Sequence, residues 1–505
     1  MQGNTEKQVT AQNLNIRAAK AISDTVKSTL GPAGMDKMMV DGGGGVIVTN
    51  DGATILQSLD IAHPGAKMIV EAANTQENMC YDGTTSTVVL AGQLLANSDT
   101  LFEKGIHPNI ICKGYRQASK WATEHLDTLS VDSGKHLNKV AQTAITGKSL
   151  ESSMEHVSNL CVEAVENTKG DYDKVRVLCQ PGGALDDSYC FSGVVIHKEF
   201  IMPSMSPSPN GDAILINTGL KVEKMDDNVQ VQFQSAQEFQ SYKKETSRDV
   251  WVKKANTIGE HLPDGGVVFS RDTVNEVLAS LLVRKNISVA HRVPESDMTA
   301  LSHLLGTPVY HSPEDVQNIG KGNINQEVIG DMKYIIVKGD ADVTTLVLRG
   351  ATRQTLDETE RGFEDALGVV SIAYKSKSVV TGGGSTFISM AQQLRKRAAE
   401  IGGRQQMAIE AFAESLEVIP ATIAENAGHD PLDTILALRN EHAQGNTGLG
   451  PNVETGGICD MAELGVWEPL NLVRQCVQSA SEVSISILRI DDIVSKRPPE
   501  NQVSQ

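Results

Sequence analysis

Long apolar runs are missing from this chain of 505 residues: those present are short and interrupted, and none approaches the roughly 20 residues needed to cross a bilayer. With Met1 to Thr10 polar as well, a soluble protein without a secretory signal is expected. Basic charge is also scarce. Against 63 Asp and Glu stand 45 Lys and Arg, and the formal charge of −18 disfavours general binding to nucleic acid or to an anionic membrane. Paired cysteines are absent too. The seven, Cys80, Cys112, Cys161, Cys179, Cys190, Cys459 and Cys476, are odd in number, scattered and never in a Cys-x-x-Cys pair. That pattern argues against structural zinc or a disulfide framework and suits a reducing cytosol. Nor is there a P-loop, because no Lys-Ser or Lys-Thr follows Gly42 to Gly45 and no helix opens there. Asp41 to Gly45 reads instead as the loop of a hairpin between Met38-Met39-Val40 and Val46-Ile47-Val48.

What the chain does have is a window, Leu30 to Ser86, with three glycine-bearing turns, each next to a hydroxyl or a carboxylate. They are Leu30-Gly31-Pro32-Ala33-Gly34, Asn50-Asp51-Gly52-Ala53-Thr54 and Asp82-Gly83-Thr84-Thr85-Ser86. A polyanion with a divalent metal needs free backbone N–H groups, short hydroxyls, a carboxylate for the metal and glycines that let the main chain come close. The third turn runs into Val88, Val89, Leu90, Leu94 and Leu95 at helical spacing, so its unpaired N–H groups face outward at the positive end of the helix dipole. Taken alone this turn is better read as an ordinary N-cap; three such turns in one window favour phosphate binding. Cys80, beside it, reads as a small buried hydrophobe rather than a nucleophile.

At 505 residues with 40% apolar content, two or three domains are expected. Ile22, Val26 and Leu30 form a helical stripe ended by Gly31-Pro32, and Ala66 to Leu126 is helical throughout. After a break at Asp127 to Lys139, the stretch Ala141 to Lys148 leads into a helix with Met154, Val157, Leu160, Cys161 and Val165, followed by strand-like Val175 to Leu178. From Gly193 to Ile201 onward the texture becomes α/β. Strands at Ala213 to Ile216, Val267 to Phe269, Ile287 to Ala290 and Thr344 to Leu348 alternate with helices carrying Val274, Val277, Leu278 and Leu281, then Met298, Leu301 and Leu305. Within it, Val229 to Phe233 alternates like a strand, and Ala236, Phe239 and Tyr242 share one face of an amphipathic helix. A helix from Thr352 to Val370 returns the chain to a helical region that runs to Arg489, and Ser495 to Gln505 looks disordered. The middle is therefore nested inside the ends.

These residues resemble a known family. Lys27 to Met39 is similar to the first signature of the group II chaperonins, the archaeal thermosome and its eukaryotic cytosolic relatives. Val48 to Leu56 with His63-Pro64 resembles the second, and Gln76-Glu77 followed by Asp82-Gly83-Thr84 the third. The resemblance continues through Thr381-Gly382-Gly383-Gly384, Ala424 to Gly428 and Ile487 to Asp492, and so covers nearly the whole chain. It implies a multidomain α and α/β chaperonin fold: a helical equatorial ATP-binding domain (1–132 and 381–505), a small intermediate domain (133–196 and 349–380) and an inserted α/β apical substrate-binding domain (197–348), whose helical protrusion, at Val229 to Tyr242, forms a built-in lid. It also implies a cytoplasmic ATPase and chaperone, in a double ring of identical or paralogous subunits that encloses unfolded proteins, without nucleic-acid or membrane partners.

By the same resemblance Asp82 binds magnesium, and Asp51 and Asp365 position and activate water. Thr29, Leu30, Gly31, Gly83, Thr84, Thr85 and Ser86 hold phosphates, and Lys148 approaches the terminal one. Gly383 admits the nucleoside, and Glu468 accepts from the ribose. ATP and Mg2+ are the implied ligands, with K+ a further candidate ion. Taken singly, Asp365 in a helix reads as a surface residue, Glu468 before Pro469 as a turn residue and Lys148 as a solvated lysine. Their joint fit to one family raises them. Two departures stand out: Tyr81 replaces the glycine usual before this aspartate, and Ser385-Thr386-Phe387 stands where the family has Glu after the glycine triplet. A tyrosine at a position needing positive φ is expected to be strained or to tilt the phosphate turn, with slow hydrolysis as the outcome. A weakly or non-hydrolysing structural or holdase subunit is the alternative it opens.

Overall fold

A computed structural model describes residues 3–40, 45–148, 150–218, 220, 250–329 and 332–492. It resolves into two compact units, Met1–Val162 with Asp357–Gln505, and Glu163–Leu356. The first is built around the helix Thr84–Glu103. Val88, Val89, Leu90, Ala91, Leu94 and Leu95 are all buried, so apolar groups surround the helix on every side, the pattern of an element packed inside others rather than on a surface. Pro64–Cys80, Pro108–Thr128, Gly403–Leu416 and Leu470–Leu488 are helices of the same unit. Tyr115 is fully buried between such elements. Its hydroxyl donates to the carbonyl of Leu94 at 2.8 Å, and its ring meets Phe412 edge-on at 5.5 Å.

The helical expectation for the C-terminal part holds with interruptions. Ser378–Thr381 is a strand between Val131–Asp132 and Trp467–Pro469, antiparallel to both, with Val380 opposite Glu468. Leu449–Pro451 and Ile458–Asp460 form a second small pair. The hairpin Lys37–Val40 and Val46–Thr49 is present in antiparallel register, Lys37 opposite Thr49.

The second unit carries a parallel sheet in the order Val309–Tyr310, Asp212–Ile216, Gly266–Ser270, Ile287–Ala290, with Gly320–Lys321 antiparallel beside Asp212–Ile216. Its central strands are buried along nearly their whole length, as continuous Val/Ile/Leu runs covered on both faces demand. Helices Glu276–Val283 and Glu295–Leu305 contribute Leu278, Leu282, Leu301 and Leu304 to the core. Val274 precedes the first of these helices instead of lying on it, because Asn275 caps it by accepting from the N–H of Val277 at 2.8 Å. The returning helix spans Arg353–Ser376. Val229 to Tyr242 and Ser495 to Gln505 lie outside the described residues. Among those described, no helix is long and apolar enough to cross a membrane.

Candidate active site

The start of the helix Thr84–Glu103 sets the site. Its N-cap is Gly83, at φ 82°, which supplies no side chain, and no side-chain cap bonds its first amides. Asp82 is turned to its own neighbour, with Oδ1 accepting from the N–H of Gly83 at 2.7 Å. A 20-residue helix thus presents open N–H groups and its dipole to whatever lies beyond. The ordinary capping role belongs instead to the second turn. Asp51 caps the helix Gly52–Ser58, with Oδ1 accepting from Ala53 N–H at 3.2 Å and Oδ2 from the N–H (2.8 Å) and hydroxyl (2.6 Å) of Thr54. The two turns meet at Gly52, where a β-carbon would come within 2.4 Å of Thr85 Oγ1 and 3.1 Å of Thr84 Oγ1. A side chain there would push both hydroxyls from their places.

The first turn follows the helix Gly3–Lys27 and is held from far along the chain. Asn426 Nδ2 donates to the carbonyls of Leu30 (2.8 Å) and Lys27 (3.1 Å), and Lys27 pairs with Glu425 at 2.7 Å. Asn50 Nδ2 donates to the carbonyl of Gly147 at 2.8 Å, which brings the loop carrying Lys148 alongside. Gly147 in turn is close enough to the first turn that a β-carbon on it would lie 3.3 Å from Pro32 Cα.

These turns enclose a cavity of about 410 Å3. Thr29, Leu30, Gly31, Asp51, Asp82, Gly83, Thr84, Thr85, Ser86, Lys148, Asp365, Gly383 and Glu468 all line it. So do Glu77 and Asn50, to which the sequence reading gave no role, and Asn452, Val453 and Glu454 from a loop it passed over. Glu77 could have been found from its place in the last turn of the helix that leads to Asp82, were a lone glutamate on a helix not the commonest of solvated residues.

Lys148 is the only Lys or Arg among the described lining residues, and its Nζ sits 2.6 Å from Asp365 Oδ2. Burial works against its charge, yet the carboxylates of Asp365, Asp82 and Asp51 hold the ammonium above its ordinary range. Asp365 is also raised: burial outweighs the help of Lys148, and Asp82 and Asp51 add repulsion. Glu77 is pushed up to about 8 by burial and then by Asp365, Asp51 and Asp82, so it carries a proton at neutral pH. Glu468 is pushed up to about 7 by burial and by Asp82, against a hydrogen bond from the backbone of Gly383. Its carboxylate occupies the space beside Gly382, whose β-carbon would lie 2.8 Å from Glu468 Oε1. Gly383 faces Met461 in the same way, at 2.4 Å from its sulfur. Burial, with Asp82 and Glu77, pushes the thiol of Cys80 up to about 12, which leaves it an inert, buried group. Ser385 Oγ, near the glycine triplet, donates to the carbonyls of Gly382 at 2.8 Å and Thr381 at 3.0 Å.

The model of the TCP-1/cpn60 chaperonin family matches residues 22–498. The chain belongs to that family. Thermosome subunit alpha of Halobacterium salinarum is 39% identical over 501 residues, covering 96% of this chain and 88% of the relative. A thermosome subunit of Methanopyrus kandleri is 39% identical over 506 residues, 96% of this chain and 92% of its own length. Thermosome subunit beta of Archaeoglobus fulgidus is 36% identical over 512 residues, 97% and 93% of the two chains. The protein is accordingly a group II chaperonin subunit, a chaperone of protein folding, with the mixed helical and α/β fold of that family.

Proposed function

We propose that the cavity binds ATP with magnesium and hydrolyses it, and that hydrolysis drives a folding chamber. In this reading 1–132 and 381–505 form the equatorial nucleotide domain, 133–196 and 349–380 the intermediate domain, and 197–348 the apical domain that receives unfolded chains. The subunits stack as a double ring with identical or paralogous copies, and the lid closes on hydrolysis. The observation that carries this is the charge imbalance of the cavity, where the carboxylates of Asp51, Asp82 and Asp365 face one lysine beside an uncapped helix start.

A site so short of positive charge suits a divalent cation. Among the described residues no three His, Cys, Asp or Glu converge as a ready cage. That suits magnesium, which prefers one or two carboxylates with substrate phosphates and water. Asp82 would hold the ion, which when bound neutralises phosphate charge and the charge that develops in transfer. The amides and hydroxyls of Gly83, Thr84, Thr85 and Ser86 would bind phosphate oxygens, as would Thr29, Leu30 and Gly31. Lys148 would turn its ammonium from Asp365 to the terminal phosphate. Asp365, more basic than an ordinary carboxylate because it is buried, would then accept a hydrogen bond from the attacking water. Asp51 spends three hydrogen bonds on its cap and would help orient that water with what acceptor capacity remains. Glu468 would accept from the ribose.

A weakly hydrolysing structural or holdase subunit is the second reading, favoured by the left-handed backbone of Tyr81. Magnesium-dependent phosphate release from ATP, with negative-stain images of the particle with and without ATP, separates the two. A ring that binds ATP and releases no phosphate would uphold the second. A stable monomer in the presence of ATP would overturn the chamber.

A further inference from the structure

Tyr81 closes the helix Pro64–Cys80 at φ 58° and ψ 0°, with its N–H bonded to the carbonyl of Glu77 at 2.8 Å. The left-handed region expected for the family's glycine is therefore adopted by a tyrosine, at a cost any residue with a β-carbon bears. Yet the turn that follows is intact, and Asp82 and Gly83 through Ser86 still line the cavity.

Where the ring goes explains this. A β-carbon built on Gly368 would come within 2.1 Å of Tyr81 Cγ, 2.4 Å of Cδ2 and 2.5 Å of Cβ. The tyrosine thus lies directly on the backbone of Gly368, and the atoms in contact are the root of its side chain, which cannot swing aside. Gly368 is buried within the helix Arg353–Ser376 and is not among the positive-φ residues, so backbone freedom gives no reason for glycine there. Glycine also weakens a helix interior. What the position needs is space for the ring. Gly368 is three residues beyond Asp365, on the same face of that helix. One contact therefore joins the residue next to Asp82 to the helical turn that carries Asp365.

We propose that Tyr81 and Gly368 are a matched pair, in which Tyr81 is a positioning residue that spaces Asp365 from Asp82, and Gly368 is its seat. This rests on the reading of the cavity as a site of ATP hydrolysis. Hydrolysis needs the metal-binding carboxylate and the water-orienting one at a fixed separation, and errors near 1 Å in such geometry cost up to about a hundred-fold in rate. The strain account and the spacing account predict opposite signs. If Tyr81 only strains the turn, Tyr81→Gly speeds turnover; if it spaces the two carboxylates, Tyr81→Gly slows it.

The test is a four-protein cycle of the full-length chain: wild type, Tyr81→Gly, Gly368→Ala and the double variant. Gly368→Ala is expected to lower kcat about ten- to a hundred-fold, because the added methyl displaces the ring and with it the spacing of Asp365 from Asp82. In the Tyr81→Gly background the same alanine should cost less than about two-fold, since no ring remains to be displaced. A loss that comes only from general destabilisation would not be rescued in this way. Should Gly368→Ala not fold, Tyr81→Ala and Tyr81→Phe carry the test: the first loses the ring and slows turnover, the second keeps the ring and stays near the wild type. The pair is overturned if Gly368→Ala turns over like the wild type, if its loss persists in the double variant, or if Tyr81→Gly or Tyr81→Ala is as fast as the wild type. If the wild type releases no phosphate at all, the hydrolytic reading falls, and the pair is judged by calorimetry with ADP. The gain in ADP affinity on adding Mg2+ should then be lost in Gly368→Ala and return in the double variant; an equal gain in all four proteins overturns it.

Discussion

Inside the unit of Met1–Val162 and Asp357–Gln505, six carboxyl groups, Asp51, Glu77, Asp82, Asp365, Glu454 and Glu468, line one cavity with Lys148, whereas in the unit Glu163–Leu356 the buried Asp297 meets Arg176 one to one. The cavity carries more negative charge than it can neutralise, and a proton on Glu77 and a lysine held strongly cationic make up part of the difference. The Arg176 pair is internally balanced and, with an apolar core around the nearby sheet, has no use for a further ion. A third case separates burial from function. Glu417, 5% exposed, is gripped by Arg395 and Arg439, and although burial pushes its carboxyl up, those hydrogen bonds hold it below its ordinary range. The half-buried Glu77 and the buried Glu417 of one unit thus shift in opposite directions. Crowding without partners marks a site that awaits ligand charge; crowding with partners marks finished structure.

Removing one group from the unbalanced cluster should therefore strike activity hardest. Asp365→Ala is expected to lower steady-state phosphate release by about 10²–10⁴-fold, the range for loss of a group that activates the nucleophile. ATP binding, measured by calorimetry, should survive because the phosphate turns do. Turnover that does not change would remove Asp365 from the site.

In the balanced pair the same kind of deletion should strike stability. Asp297→Ala leaves Arg176 buried without its partner, and Nε and Nη1 of that arginine already have none, so a loss of about 3–5 kcal/mol is expected. Urea unfolding would register it. Replacing both residues, as Arg176→Met with Asp297→Leu, should recover most of that loss. If the double replacement is no better than the single, the pair is more than a neutralised charge.

Between these extremes lies a polar group that holds a binding turn. Asn426→Ala removes two donors to the carbonyls of Lys27 and Leu30, with an expected cost of about 1–2 kcal/mol. Because Leu30 lines the cavity, the loss should appear as a several-fold higher KM for ATP with kcat nearly unchanged. A fall in kcat instead would place Asn426 among groups that act in the reaction.

What the sequence disclosed follows from range. The three turns were legible because each is a run of adjacent residues whose chemistry is visible locally. The strands of the parallel sheet were legible as unbroken apolar runs. The Lys148–Asp365 bond joins residues far apart in the chain, and only resemblance to a family had put the two in one site. Trp467–Pro469 and Val131–Asp132 are too short for alternation to show, so the strand character of Glu468 emerged only with its partner Val380. The left-handed Tyr81 was foreseeable from the glycine it replaces. Its seat was not, since a glycine in a helix announces nothing about what rests on it. Glu77 stayed hidden because its character comes from neighbours on three other segments.

Glu77 supplies the gentlest test of the imbalance. An ordinary glutamate titrates near 4.5, and here the folded protein holds the proton up to about 8. As pH rises above 4.5 the unfolded chain gives up this proton while the folded chain keeps it, so stability drains away until both are ionised above about 8. Glu77→Gln has no such proton to lose. In metal-free buffer, the Tm of the variant minus that of the wild type should grow from pH 5 to pH 8 and then level off. Magnesium should flatten this slope, because a cation beside Asp82 cancels part of the repulsion that raises Glu77. A Tm difference that stays constant with pH would mean that Glu77 is ionised in the folded protein. The cavity would then be less starved of positive charge than its geometry implies.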